Sequence, residues 1–191
     1  MAINLQKGQR VALENSLQMA LVGLGWDTNK YDGGFDFDLD ASAFLLGANG
    51  KLLRDEDFVF YNNTNARNGA VIHKGDNKTG AGDGDDEVIV INFSKIPDEI
   101  QKIAICVTIH EAMERRQNFG QVSNAYVRVA KLGNEFDTVG EDQLRFDLEE
   151  EFSIETGLVV CEIYRHNGEW KFNAVAAGYQ GGLEAILGMY Q

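Results

Sequence analysis

The sequence contains two short stretches in which acidic residues are crowded together. The first covers residues 27–40 and the second covers residues 76–87, and each holds five acidic residues and one lysine. Ten of the 30 acidic residues therefore fall within 26 of the 191 positions, where even spacing would place about four. Two carboxylates about 4 Å apart repel by about 1 kcal/mol in water and by several times that near a protein surface. Because a bound cation is the simplest way to offset this repulsion, the two stretches predict a site for a divalent cation.

The residue types favour calcium over zinc. Calcium binds six to eight oxygen atoms from carboxylates, carbonyls and amides. Asp36, Asp38 and Asp40 alternate with Phe37 and Leu39, so on a strand the three carboxylates would share one face. The glycines of the second stretch let the backbone bend so that carbonyl groups and short Asp side chains converge. Zinc is disfavoured because the chain has only three histidines and neither cysteine has ligand spacing.

An EF-hand loop does not explain the second stretch. Asp76 and Glu87 occupy the first and last positions of a 12-residue window, as an EF-hand requires. Lys78, Gly80 and Ala81 then fall at the third, fifth and sixth positions, where the motif needs two oxygen ligands and a glycine. We therefore expect another geometry, with ligands from more than one loop. The alternative is that both stretches are solvated loops, which is our interpretation of a third acidic stretch at residues 141–155.

Composition limits the classes of function. The formal net charge of −13 argues against nucleic acid and against an anionic membrane surface as partners. Residues 1–8 lack the apolar core of a signal peptide, and the apolar run at 103–109 is too short to span a membrane. Cys106 and Cys161 lie in apolar runs and are expected to be buried and reduced. We therefore predict one cytoplasmic domain over residues 1–191.

Turn signals predict an all-β fold. Asn49-Gly50, Gly133-Asn134 and Asn167-Gly168 each separate two apolar runs and suit hairpin turns. Residues 88–91 and 103–107 have the continuous apolar character of strands that are buried on both faces, whereas residues 126–129 and 170–172 alternate. Short helices are expected at 94–101, with Ser94 as the cap, at 111–117, and after Gly181-Gly182. The last helix would pack on a sheet through Leu183, Ile186, Leu187 and Tyr190.

The order of these motifs resembles the TerD family of tellurium resistance and general stress proteins. The similar segments are residues 23–27, 37–42, 58–63, 75–87, 118–122, 162–166 and 170–172. The loop that begins with Gly75-Asp76-Asn77 and ends with Asp85-Asp86-Glu87 is the most specific of them. The resemblance implies an antiparallel β-sandwich with a few short helices that binds Ca²⁺ in loops at one end. It also implies a non-catalytic binding module that acts in resistance to tellurite and other stresses.

The resemblance also implies a set of metal ligands. Carried over residue by residue, they are Asp27, Asp36, Asp38, Asp40, Asn62, Asp76, Asp83, Asp85, Asp86 and Glu87. Asp38, Asp76 and Asp86 are the strongest candidates, and Asp32 is interpreted as a turn residue. The expected partners are calcium ions and other stress-resistance proteins, including partners at the inner face of the membrane.

Two other functions remain open at this point. A metal-dependent hydrolase or phosphoryl-transfer enzyme could use the same carboxylates with His110 as a base. No P-loop supports it, because Gly80-Ala81-Gly82 is not followed by the Gly-Lys-Ser/Thr sequence that such a loop requires. Direct tellurite chemistry through the two cysteines would need reactive thiolates, which apolar surroundings disfavour.

Overall fold

The computed structural model describes residues 3–14, 17–28, 34–81, 84–133, 142–148 and 152–191. Two α-helices, α1 (Ala112–Arg115) and α2 (Gly182–Tyr190), and three single-turn 3-10 helices accompany the strands in these residues. The strands are β1 (Ile3–Asn4), β2 (Arg10–Ala12), β3 (Met19–Gly25), β4 (Leu39–Leu46), β5 (Phe58–Val59), β6 (Asn65–Ala66), β7 (Val71–His73), β8 (Glu87–Asn92), β9 (Lys102–Ile109), β10 (Tyr126–Leu132), β11 (Asp142–Asp147), β12 (Gly157–His166) and β13 (Glu169–Tyr179).

The strands form two sheets. The first sheet has the order β1-β11-β10-β3-β8-β7-β6, and the second has the order β2-β13-β12-β9-β4-β5. Every pairing between these strands is antiparallel except that of β1 with β11. One apolar cluster draws buried side chains from both sheets, so the two sheets pack face to face. The predicted all-β antiparallel sandwich with few helices is confirmed.

The second face of the second sheet is covered by α2. On β4, Leu39, Ala41 and Leu45 face the core between the sheets, whereas Phe44 and Leu46 face the helix. Ile186 is fully buried in this second cluster, and the partly buried side chains of Leu183, Leu187 and Tyr190 pack against it. The helical spacing of these residues and the continuous apolar character of the central strands are thereby explained.

Both cysteines are fully buried, as predicted. Cys106 lies on β9 beneath α2, and Cys161 lies on β12 in the core between the sheets. Burial raises the pKa of both thiols well above their ordinary value, so neither is a thiolate at neutral pH. Among the described residues, no helix is long and apolar enough to cross a membrane.

The turns follow the sequence only in part. Asn167 and Gly168 both have positive φ, at 53° and 81°, and join β12 to β13 as a type I′ turn would. At Asn49-Gly50 only Gly50 has positive φ, and the chain beyond it makes a single bridge from Leu52 to Leu46. The turn predicted at Gly133-Asn134 extends outside the described residues.

Two of the predicted helices need correction. The helix expected at 94–101 is wrong: a 3-10 turn covers Phe93–Lys95, and Asn92 rather than Ser94 caps it. The helix expected at 111–117 is shorter and spans Ala112–Arg115. The acidic stretch at 141–155 also contains β11, which buries Leu144 and Phe146, so it is solvated only in part.

One end of the sandwich collects the segments that carry the acidic residues. β3 and β9 end there, while β4 and β8 begin there, because Leu39 pairs with Ile109 and Leu24 pairs with Glu87. Residues 34–38 enter β4 at this end, and the loop after β7 enters β8 at this end. The antiparallel register therefore brings the two acidic stretches to one place.

Candidate metal centre

Three carboxylates meet at this end of the sandwich. One carboxylate oxygen from each of Asp38, Asp40 and Asp76 lies within 4.8 Å of the others. Asp38 and Asp40 lie two residues apart at the start of β4, and the extended backbone there points both side chains to the same side. Asp76 comes from the loop between β7 and β8. The two stretches that were singled out by charge are therefore adjacent in space.

Burial and mutual repulsion disfavour the ionised form of Asp40. Its exposed fraction is 5%, and burial is the largest cause that raises its pKa, to about 8, followed by the charges of Glu87, Asp38 and Asp76. Burial also raises the pKa of Asp38, although His110 and Arg115 oppose the shift. The metal-free cluster therefore holds at least one carboxylate that resists ionisation at neutral pH.

Each of the three carboxylates has one basic side chain nearby. Arg115 Nη1 lies 3.5 Å from Asp38 Oδ2, and His110 Nδ1 lies 3.5 Å from Asp40 Oδ2. Lys78 Nζ lies 3.6 Å from Asp76 Oδ2. These distances exceed the roughly 2.7–2.9 Å of charge-assisted hydrogen bonds. Arg115 and Lys78 therefore offset part of the negative charge of the cluster, and none of the three side chains closes its oxygens to a ligand.

Glu87 adds a buried carboxylate beside this cluster. Its Oε2 accepts a hydrogen bond of 2.5 Å from the backbone N–H of Ala41, and the Nε2 atom of His73 lies 3.5 Å from the same oxygen. Its Oε1 and both ring nitrogens of His73 are buried without a hydrogen-bond partner among the described residues. Burial raises the pKa of Glu87 even though His73 and the Ala41 N–H lower it. A buried oxygen without a partner is the kind of atom that a cation or a water molecule would satisfy.

The donor chemistry fits calcium. The three carboxylates provide hard oxygen ligands, and the unpartnered Oε1 of Glu87 lies nearby. Neither cysteine belongs to the cluster. A cavity of about 260 Å³, lined by Tyr61 and His110 among others, borders the cluster on the side of Asp40.

Asp85 and Asp86 have other partners. Asp85 receives hydrogen bonds from Arg128 Nε and Nη2 at 2.8 and 2.6 Å and from the Tyr126 hydroxyl at 3.1 Å. Burial and Asp85 raise the pKa of Tyr126 to about 12, so its phenol stays protonated and donates. Asp86 accepts from the Trp26 backbone N–H and from the Asn77 side chain. Neither residue belongs to the described carboxylate cluster.

Three other predicted ligands, Asp27, Asp36 and Asn62, also lie outside the cluster. Asp27 accepts a 2.7 Å hydrogen bond from Asn124, and Asp36 is exposed, because β4 begins only at Leu39. Asn62 is an exposed turn residue. Asp83, like the predicted turn residue Asp32, lies outside the described residues.

Sequence reasoning missed the basic and imidazole groups around the site. It considered His110 only as a base and did not include Arg115 or His73. No local pattern marks these residues, because they reach the carboxylates from a short helix and from the neighbouring sheet. The position of Arg115 could be derived only from the register of β9 with β4.

Comparison with known proteins places these observations in a family. The TerD domain model matches residues 1–190. The chain is 54% identical to general stress protein 16U and 60% identical to the uncharacterized protein YceE, both of Bacillus subtilis, and 50% identical to tellurium resistance protein TerD of Serratia marcescens. Each alignment covers 100% of this chain and 97–98% of the relative. A crystal structure of a TerD homologue from Streptomyces coelicolor superposes with a TM-score of 0.73 at 22% identity, covering 90% of this chain and 96% of that one, and supports the fold.

Proposed function

The chain belongs to the TerD domain family of tellurium resistance and general stress proteins, and we propose that it acts in the stress response as a calcium-binding module without catalytic activity. The observation that carries the proposal is the convergence of Asp38, Asp40 and Asp76 within 4.8 Å at one end of the sandwich. Bound calcium would supply the positive charge that these carboxylates lack.

Calcium suits the cluster better than magnesium. The carboxylates come from an extended segment and from a glycine-rich loop, which do not impose octahedral symmetry. Calcium accepts irregular coordination, whereas magnesium requires nearly ideal octahedral geometry and loses its water reluctantly. We propose that Asp38, Asp40 and Asp76 hold the ion and that Glu87 contributes negative charge from behind them.

The module would act by binding other proteins of the stress response. A bound ion would connect the loop after β7 to the start of β4 and so stabilise the surface at this end of the sandwich. We propose a cytoplasmic scaffold or sensor whose partners are other stress-resistance proteins, including those at the inner face of the membrane. The names of these two relatives describe resistance and stress and do not include an enzymatic activity.

A calorimetric and thermal titration tests the proposal. We expect the wild-type protein to bind calcium more tightly than magnesium and to melt at a higher temperature in calcium than in chelator. Saturation at about 100 times Kd would add about 2.7 kcal/mol of stability. Equal melting in calcium and in chelator would contradict the proposal.

Asp40→Asn sharpens this test because its two effects have opposite signs. Asparagine avoids the cost of burying a carboxyl group that must keep its proton at neutral pH, so the melting temperature in chelator should rise by roughly 2–4 °C for each 1 kcal/mol of stabilisation, while calcium affinity falls at least tenfold. The control is Asp98→Asn, since Asp98 is fully exposed and precedes β9 at the opposite end of the sandwich. Asp98→Asn should leave calcium affinity unchanged.

A hydrolase or phosphoryl-transfer enzyme is the second candidate. His110 lines the cavity beside Asp40, as a base for a metal-bound water would. Turnover of a phosphoester that disappears in Asp76→Asn would favour this function over a binding module.

A further inference from the structure

Trp26 links the end of β3 to the segment that carries Asp38. Its side chain is buried, with an exposed fraction of 5%. The indole Nε1–H donates a 2.9 Å hydrogen bond to the carbonyl of Phe37, the residue directly before Asp38. The backbone at Asp38 is therefore held from the side of the first sheet.

Asp86 links the same tryptophan to the segment that carries Asp76. Asp86 Oδ2 accepts from the Trp26 backbone N–H at 3.0 Å, and Asp86 Oδ1 accepts from Asn77 Nδ2 at 2.7 Å. Asn77 directly follows Asp76. The Asp86 backbone N–H donates to Leu24 at 2.7 Å, which fixes this carboxylate to β3.

Asn77 and Gly80 close the loop against the indole. Asn77 Oδ1 accepts from the backbone N–H groups of Thr79 and Gly80 at 3.1 and 3.2 Å. Gly80 has a φ of +67°, and a Cβ atom there would lie 2.5 Å from Trp26 Nε1. Glycine is therefore required at this position by both the backbone conformation and the packing.

We infer that Trp26 and Asp86 form a brace that holds Asp38 and Asp76 in position for calcium, and that Asp86 is a positioning residue and not a metal ligand. The inference rests on the proposed calcium site. It differs from the sequence-based ranking, which placed Asp86 among the three strongest ligand candidates. Both of its oxygens accept from N–H donors, and it lies outside the group formed by Asp38, Asp40 and Asp76.

Two variants each remove one part of the brace, either the carboxylate of Asp86 or the indole N–H of Trp26. Asp86→Asn keeps the shape of the side chain but places an amide N–H₂ against one of its two donors. Trp26→Phe keeps an aromatic ring but removes the bond to Phe37. Both should bind calcium 10- to 100-fold more weakly, as is typical when groups that orient ligands are lost. The matched controls Asp98→Asn and Trp170→Phe should bind like the wild type.

The coordination of Tb³⁺, used in place of calcium, separates a positioning residue from a ligand. Luminescence lifetimes in H₂O and D₂O count the water molecules bound to the ion. Asp38→Ala should add about one water, because a side chain without an oxygen atom leaves its place on the ion to solvent, whereas Asp86→Ala should add none. An extra water in Asp86→Ala, or unchanged calcium affinity in both brace variants, would overturn the inference.

A measurement without metal keeps the inference separate from the proposed function. In chelator, exchange of the Trp26 indole proton with solvent, followed by NMR with Trp170 as internal reference, should be at least tenfold faster in Asp86→Asn than in the wild type. Unchanged exchange would overturn the brace. A wild-type protein that binds no calcium would instead overturn the proposed function, and the indole exchange would still decide whether the brace exists.

Discussion

Three consecutive acidic residues, Asp85, Asp86 and Glu87, have three different roles. Asp85 pairs with Arg128 on the outer face of the first sheet. Asp86 bonds to Trp26 and Asn77 between the loops, and Glu87 reaches the second sheet at the N–H of Ala41. Their roles are set by partners that are distant in sequence. The role of each neighbouring carboxylate therefore cannot be assigned from composition.

Asp85→Asn should destabilise the protein without affecting the calcium site. The side chains of Asp85 and Arg128 are only 6% and 16% exposed, so removing the charge of Asp85 breaks a largely buried ion pair with two short hydrogen bonds. We expect a loss of about 3 kcal/mol in the free energy of unfolding, measured by urea denaturation in chelator, with calcium stoichiometry unchanged.

The control for this variant is Asp147→Asn. Asp147 pairs with Arg145, but its side chain is 63% exposed. The expected change is within about 0.5 kcal/mol, because exposed ion pairs contribute little. A loss of calcium binding in Asp85→Asn, with the fold retained, would contradict the structural role of Asp85.

The candidate site could be predicted in outline from the sequence. Crowding of charge identified both stretches that meet, and the two-residue period correctly placed Asp38 beside Asp40. The same period also included Asp36, which is exposed and lies outside the cluster, because the sequence does not mark where β4 begins. The nearby side chains Arg115 and His110 could not be assigned, since their approach depends on the register of β9 with β4.

At the scale of elements, turn chemistry and apolar runs predicted the central strands but not their ends. Asn167-Gly168 forms a hairpin because both residues adopt positive φ, whereas Asn49 does not, although the dipeptide is the same. Beyond Gly50, the Leu52 N–H bonds to the carbonyl of Tyr190 in α2. A tertiary contact thus replaced the local hairpin that the dipeptide favours.

The outer face of β3 needs a glycine at position 23 so that the Asp85 side chain can pack against the strand. A Cβ atom on Gly23 would lie 2.3 Å from the Asp85 carboxylate, which rests on this strand as it pairs with Arg128. Gly23→Ala should therefore cost about 2 kcal/mol, because the ion pair has to move. Chemical denaturation in chelator measures this change.

Gly188 provides the opposite control in α2. It lies in the helix with an ordinary φ, and a Cβ atom there would meet nothing within 4 Å. Gly188→Ala should stabilise the protein by about 0.5–1 kcal/mol through helix propensity. If Gly23→Ala did not destabilise the protein either, the close packing of Asp85 on β3 would be contradicted.

At the scale of the whole molecule, the fold concentrates negative charge that the composition already has in excess. The net charge is −13, and the antiparallel register brings two acidic stretches to one end of the sandwich. Burial raises the pKa values of Asp38, Asp40, Asp86 and Glu87, so all four shifts have the same sign. The metal-free fold therefore retains protons that the unfolded chain releases.

Because folding raises these pKa values, the stability of the metal-free protein should fall as the pH rises. Folding raises the pKa of Asp40 from 3.8 to about 8, so its contribution is complete below pH 3.8 and is lost as the pH rises through about 8. In chelator, the free energy of unfolding should fall between pH about 5 and 8, by up to about 1.4 kcal/mol per pH unit for one proton. Calcium, which binds the deprotonated form, should remove or reverse this slope, and Asp40→Asn should flatten it. Urea midpoints across this range measure it, and identical slopes in the wild type and Asp40→Asn would exclude Asp40 as the origin.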